Sequence, residues 1–154
     1  MAKLSTLIYL EREGKFLMML RNKKKVDINA NKWLGVGGKV EAGESPYQAA
    51  LREVYEETGY VVDDLKARGI ITFLYDQDEA LYIFLYTGRA KEGDPCVCDE
   101  GELHYIEKEK ILDLDLWEGD RVFLKRLLEN DPRFMDIRLV YDKEDRLLAV
   151  EERC

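Results

Sequence analysis

Gly38-Lys39-Val40-Glu41-Ala42-Gly43-Glu44-Ser45-Pro46, running on through Tyr47-Gln48-Ala49-Ala50-Leu51-Arg52-Glu53-Val54-Tyr55-Glu56-Glu57-Thr58-Gly59-Tyr60, is the stretch on which the fold turns. Its second half is punctuated as a helix. Ser45 stands at an N-cap position, Pro46 suits the first helical residue, and Gln48 completes a capping box. Gly59 stops the helix in a left-handed cap. At about 100° per residue two faces separate. Tyr47, Leu51, Val54, Tyr55 and Thr58 form one arc, expected to pack on a core. Glu53, Glu56 and Glu57 gather on the opposite arc, with Ala49 one turn below and too small to cover them.

Carboxylates crowded on one helical face need a reason. Spacings of three and four residues make them neighbours, and each like-charge pair costs a few tenths of a kcal/mol. Glu56 and Glu57 also sit in the last turn, where the helix dipole disfavours negative charge. A solvated acidic face could carry these costs, with Arg52 pairing to Glu56 one turn on. A hard cation would instead turn the repulsion into attraction. Mg²⁺ takes oxygen ligands, keeps several waters and favours sites shared with substrate phosphates. The glycines ahead of the helix suit a close approach of backbone to a phosphate or metal.

At 154 residues the chain is expected to form one domain, 1–154, with a real core. Hydrophobic residues at 46% and charged residues at 36% are ordinary for a globular protein. A net charge of −8 argues against a broad surface for nucleic-acid polymer or membrane. A polyphosphate remains admissible where metal ions and a few local Lys or Arg residues supply positive charge. Cys96, Cys98 and Cys154 form no metal-ligand pattern, and an odd count suits reduced cytosolic thiols. With no charged-then-apolar leader segment and no apolar run near the length of a membrane span, the expected location is cytoplasmic.

Outward from the helix, Leu4–Leu10 reads as a strand, turned by Glu11–Gly14 and returned by Lys15–Arg21. Arg21-Asn22-Lys23-Lys24-Lys25 is the densest basic run, either a solubilising loop or a phosphate attractor, with Arg21 the leading contributor. After the polar loop 26–32, Trp33–Lys39 reads as a short strand broken by glycines. Trp33 is assigned to the core, and Leu34 and Ile28 could line a base pocket beside it. Ile70–Tyr75 and Ala80–Thr87 read as strands, the first placing Phe73 and Tyr75 on one face, where rings could meet a purine. A strand around Leu103–Ile106 follows, carrying His104, the single histidine, which is read as structural. A short helix is expected over Glu107–Leu112 and another over Arg121–Leu128, with Asp120 placed to cap or charge its first turn. Met135–Tyr141 and Leu147–Glu151 close the chain as a hairpin. The order of elements predicts an α+β or α/β sheet with helices on its faces.

The opening stretch resembles the Nudix box, G-x5-E-x7-R-E-U-x-E-E-x-G-U, with U a bulky aliphatic residue. Gly38, Glu44, Arg52, Glu53, Val54, Glu56, Glu57 and Gly59 fill their places, and only Tyr60 departs, aromatic where an aliphatic is usual. Seven single-residue positions coincide by chance on the order of 10⁻⁸ per starting point. Beyond the box, Lys32–Lys39, Gly69–Phe73, Asp99-Glu100 and Trp117-Glu118-Gly119-Asp120 are similar to the MutT-like branch, the oxidised-purine nucleoside triphosphate hydrolases, and the last segment looks like that of Gram-positive members.

That resemblance implies a mixed β-sheet in an α/β/α sandwich, with the box as strand, loop and helix. It implies hydrolysis of a phosphoanhydride bond in a damaged nucleoside triphosphate, such as 8-oxo-dGTP to the monophosphate and pyrophosphate, a step of nucleotide-pool sanitation and DNA repair. The implied metal shell for Mg²⁺ or Mn²⁺ is Glu53, Glu56 and Glu57 with the Gly38 carbonyl, and Glu100 as a further ligand or base. Glu44 and Arg52 stand outside that shell, Arg52 orienting carboxylates, and Glu53 is favoured to take the proton from water. Arg21 and Lys39 are the candidates for phosphate. Ile28, Leu34, Phe73, Trp117 and Asp120 are the candidates for the base. The animal enzyme of the branch follows its Trp with two base-reading aspartates and has a base-contacting Asn where this chain has Leu34; here Gly119 replaces the first aspartate. The alternatives are the same chemistry on another nucleotide or nucleoside diphosphate derivative, or a Nudix-like binding module without turnover. The chain is expected to act as a monomer or homodimer.

Overall fold

Strand β1 (Lys3–Arg12) is apolar on both of its faces because both faces of its sheet are covered. Leu7 and Tyr9 enter one core while Ile8 and Leu10 enter the other. The next strand, β2 (Lys15–Leu20), divides in the same way, with Phe16 and Met18 on one side and Leu17 and Met19 on the other. The computed structural model describes residues 2–24, 27–96 and 99–154, so Lys25 of the basic run and Cys98 of the Cys-x-Cys pair lie outside the described residues.

The remaining elements are β3 (Trp33–Leu34), α1 (Pro46–Thr58), β4 (Lys66–Tyr75), β5 (Leu81–Arg89), β6 (Glu102–Glu107), a 3₁₀ turn over Lys108–Asp113, α2 (Asp120–Leu128), β7 (Met135–Tyr141) and β8 (Leu147–Arg153). The strands make one mixed sheet in the order β3-β2-β1-β5-β4-β7-β8, with β6 paired to β2. Strands β1 and β5 run parallel, as do β4 and β7. Helix α1 places Ala50 and Val54 in one core, and α2 places Phe123, Leu124 and Leu127 in the other. The order of elements predicted a sheet with helices on its faces, and the mixed sheet in an α/β/α sandwich is what the resemblance implied. No helix among the described residues is long and apolar enough to cross a membrane.

One irregularity positions the site. Strands β1 and β2 pair only at their hairpin end, through Glu11 with Phe16 and Arg12 with Lys15. Beyond it they diverge, and 35–39 fills the gap with single bridges from Val36 to Ile8 and Lys39 to Ser5. The strand expected over Trp33–Lys39 therefore keeps ladder pairing only at Trp33 and Leu34. Crowding explains the glycines. A Cβ on Gly37 would lie 2.1 Å from the Thr6 carbonyl oxygen, so no side chain fits there. The short helix expected over Glu107–Leu112 is the 3₁₀ turn, one residue later.

Candidate active site

Helix α1 begins and ends as its local sequence dictates. The Gln48 N–H donates to Ser45 Oγ at 3.1 Å, and the Ser45 N–H donates back to Gln48 Oε1 at 2.9 Å. Gly59 takes φ 80° and donates its N–H to the Tyr55 carbonyl. The buried face differs from the expected arc: it comprises Ala49, Ala50, Val54, Glu57 and Thr58, while Tyr55 is 58% exposed. Small Ala49 and Ala50 let the helix sit close to the sheet, which turns Tyr55 outward and presses Glu57, 6% exposed, against the glycine segment. The Gly37 N–H donates to Glu57 Oε2 at 3.2 Å.

Arg52 organises the other carboxylates. Its Nε and Nη2 donate to the two oxygens of Glu44 at 2.7 and 2.9 Å, a bidentate pair. Its Nη1 reaches Glu53 at 2.8 Å and Glu56 at 3.2 Å, and its Nη2 also reaches the Lys39 carbonyl at 2.9 Å. The guanidinium is thereby held charged, chiefly by Glu44. Arg52 and then the Glu41 backbone N–H hold the Glu44 carboxyl down to about 2. The Gly38 carbonyl, expected among the metal ligands, is committed elsewhere: it accepts the Thr6 N–H at 2.8 Å and the Thr6 hydroxyl at 3.1 Å. Gly38 serves by lacking a side chain, since a Cβ there would come 2.6 Å from the Glu53 carboxyl carbon. No described residue donates to the neighbouring Gly37 carbonyl, which is the better backbone candidate.

Burial raises the Glu53 carboxyl, with the Arg52 hydrogen bond opposing and the charges of Glu56 and Glu100 adding. Burial and then Glu100 push Glu57 well up. Burial works in the same direction on Glu100, but Lys24 and Arg21 outweigh it and hold that carboxyl below its usual range. Lys24 Nζ lies 2.8 Å and Arg21 Nη1 3.7 Å from Glu100. Two neighbouring carboxyls thus share the burden unequally, the one beside cations keeping its charge. Arg21, expected at the phosphates, instead spends its guanidinium on Asp27 at 3.1 Å and on Glu100. Lys39 is exposed and makes no ion pair with a described residue. The carboxylates are gathered without closing into a cage, for among the described residues no three acidic, histidine or cysteine side chains form a ready metal site. Their donors are all oxygen, the kind that a hard divalent cation takes.

Beside the carboxylates opens a cavity of about 160 Å³, and Thr6, Gly37 and Gly38 belong to its wall. It gathers Arg21, Ile28, Leu34, Phe73, Trp117 and Asp120 from five separate stretches of chain. Trp117 is a fixed wall, 3% exposed, with Phe73 and Tyr141 edge-on at 5.3 and 4.9 Å between ring centroids. Asp120 opens α2 without capping it, since the N-cap is Gly119 and no side chain bonds there. The residue is 7% exposed, and its carboxyl receives no hydrogen bond from a described residue. Burial raises it to about 7, against the pull of Lys32 and Arg121. Asn29, which also lines the cavity, lies in a polar loop with no periodicity or motif to single it out.

Comparison with known proteins agrees with this geometry. The family model described as NUDIX domain matches residues 1–127. An "Oxidized purine nucleoside triphosphate hydrolase" of Danio rerio is 33% identical over 129 residues, covering 83% of this chain and 81% of that protein. An "ADP-ribose pyrophosphatase" of Bacillus subtilis is 31% identical over 136 residues, covering 84% of this chain and 60% of the relative. The crystal structure of a Bacillus halodurans MutT protein superposes with a TM-score of 0.86 at 24% identity, covering 97% of both chains, a likeness of fold. Family model, helix and carboxylate arrangement together assign this chain to the Nudix hydrolase family, on its MutT-like side.

Proposed function

We propose that this protein hydrolyses an oxidised purine nucleoside triphosphate, 8-oxo-dGTP above all, to the monophosphate and pyrophosphate. The observation that carries the substrate is Asp120: a residue only 7% exposed, whose carboxyl takes no hydrogen bond from a described residue and lines a largely apolar cleft walled on one side by Gly37 and Gly38, the glycines against Glu57 and Glu53. The protein itself supplies this carboxyl with no hydrogen bond, and a ligand group would complete it. Raised to about 7, this carboxyl can accept from a purine N–H and, when protonated, donate to a carbonyl.

The catalytic end follows from the same residues. A divalent ion held by Glu53, Glu56 and Glu57 would supply charge neutralisation at the phosphates and a polarised water. Arg52 fixes the orientation of Glu44, Glu53 and Glu56. Glu53 is the carboxyl assigned to take the proton from water, its raised affinity moving it toward the working pH. Glu100 stands ready on a separate loop, steadied by Lys24. Lys39 is exposed, its backbone carbonyl is bound by Arg52, and it is the cation assigned to the outer phosphates.

The test is Asp120→Ala assayed with Mg²⁺ on 8-oxo-dGTP and dGTP in parallel. A site built around a base hydrogen bond loses more for its proper base than for a poor one. The expected result is a larger fall in kcat/KM for 8-oxo-dGTP, with the metal requirement unchanged. An unchanged 8-oxo-dGTP/dGTP ratio would remove Asp120 from the base site.

A further inference from the structure

Leu34 brings the cleft no polar group, yet a fixed amide stands in its wall. Trp117 Nε1 donates to Asn29 Oδ1 at 2.7 Å. An indole N–H can only donate, so the oxygen of the carboxamide must face it, and the amide orientation is set by chemistry. The Asn29 Nδ2 group is left with its hydrogens, and no described residue accepts from it. Asn29 lines the same cavity as Ile28, Leu34, Phe73 and Asp120.

The backbone that carries this side chain is held as well. The Asn29 N–H donates to Asp27 Oδ1 at 3.0 Å, and the Asn29 carbonyl accepts the Lys32 N–H at 2.9 Å. Trp117 is in turn locked by Phe73 and Tyr141, with the Lys32 ammonium 5.2 Å from its ring centroid. A donor pre-oriented in an apolar cleft selects a ligand that brings an acceptor to it, because ordering it at the moment of binding costs nothing further. We infer that Asn29 is a specificity-determining residue, its Nδ2–H donating to a carbonyl oxygen of the purine, with Trp117 as the positioning residue behind it. The inference deepens the nucleotide-hydrolase reading above and rests on it.

Asn29→Asp is the informative variant: it keeps the shape and the acceptor for Trp117 but replaces the donor with an oxygen. Trp117→Phe, which frees the amide to turn, is its companion. Wild type and both variants are assayed with Mg²⁺ on 8-oxo-dGTP and dGTP, which carry a carbonyl at C6, and on dATP, which carries an amino group there. The expected result for Asn29→Asp is a loss of at least about tenfold in kcat/KM for the carbonyl-bearing bases relative to dATP, appearing in KM. Trp117→Phe shifts the ratio in the same direction by a smaller factor. An equal loss on all substrates, or none, overturns the role of Asn29 while leaving the hydrolase reading intact. Should wild type turn over none of the three, that reading fails. Binding of 8-oxo-dGMP by calorimetry then judges Asn29 separately: weaker binding to Asn29→Asp supports it, and equal binding, or none to either protein, overturns it.

Discussion

At the scale of single residues the site is a set of carboxyls given different tasks by their surroundings. Asp120 has a folded-state affinity for its proton above that of the unfolded chain, since burial raises it to about 7. The native state then binds more protons than the unfolded one between about pH 4 and pH 7, and stability falls as pH rises through that window. Asp120→Asn removes the titration. Relative to wild type, its stability should rise with pH by up to about 4 kcal/mol and level off above about pH 8, as measured by urea unfolding. A constant difference across that range would show that Asp120 is not buried as described. Glu53→Gln and Glu57→Gln should each lower kcat by at least about 10²-fold while folding normally, because charge stabilisation or a general base is lost. Near-wild-type kcat in either variant removes that residue from the catalytic set. Gly119, a departure from the animal enzyme, has a local cause in this fold. A Cβ there would lie 2.6 Å from the Tyr141 hydroxyl, which accepts the Gly119 N–H at 2.7 Å.

At the scale of elements, α1 was open to reading because its signals are local. Ser45, Pro46, Gln48 and Gly59 act within one turn of where they stand, and each does what its residue type predicts. Ser45→Ala should therefore cost about 1 kcal/mol in unfolding free energy. The helix phase was less legible. Periodicity defines an arc, but how the helix settles on the sheet depends on side chains across the interface, and the alanines let it settle with Glu57 inward and Tyr55 outward. Tyr55→Ala should consequently change stability by no more than about 0.5 kcal/mol, whereas an inward tyrosine would cost several. The segment after Trp33 shows the same limit. Its glycines mark close approach, while the partner they approach, β1, lies some thirty positions away along the chain.

At the scale of the whole molecule, the sheet places α1 with its glutamates on one face and α2 with Asp120 on the other. The gap where β1 and β2 diverge lets the Gly37–Gly38 backbone serve both sides, touching Glu57 and lining the cleft that holds Asp120. Composition and periodicity gave a mixed α and β chain and, apart from the strand read over Trp33–Lys39, the strands came within a few residues of their observed ends. The strand order, the parallel pairing of β1 with β5 and the meeting of Asn29 with Trp117 are non-local, so no window of sequence contains them. Resemblance to a known box supplied part of that arrangement. In the structure the Gly38 carbonyl is bound by Thr6, and Arg21 pairs with Asp27 and Glu100 while lining the cleft. The central claim is that one cleft couples an oxidised purine to metal-dependent hydrolysis. It is tested most directly by offering the wild-type protein an equimolar mixture of 8-oxo-dGTP, dGTP and ADP-ribose with Mg²⁺ and following each by chromatography. The account predicts that 8-oxo-dGTP disappears first, giving 8-oxo-dGMP and pyrophosphate, with no turnover when the metal is chelated; earlier consumption of ADP-ribose, or equal consumption of dGTP, would contradict it.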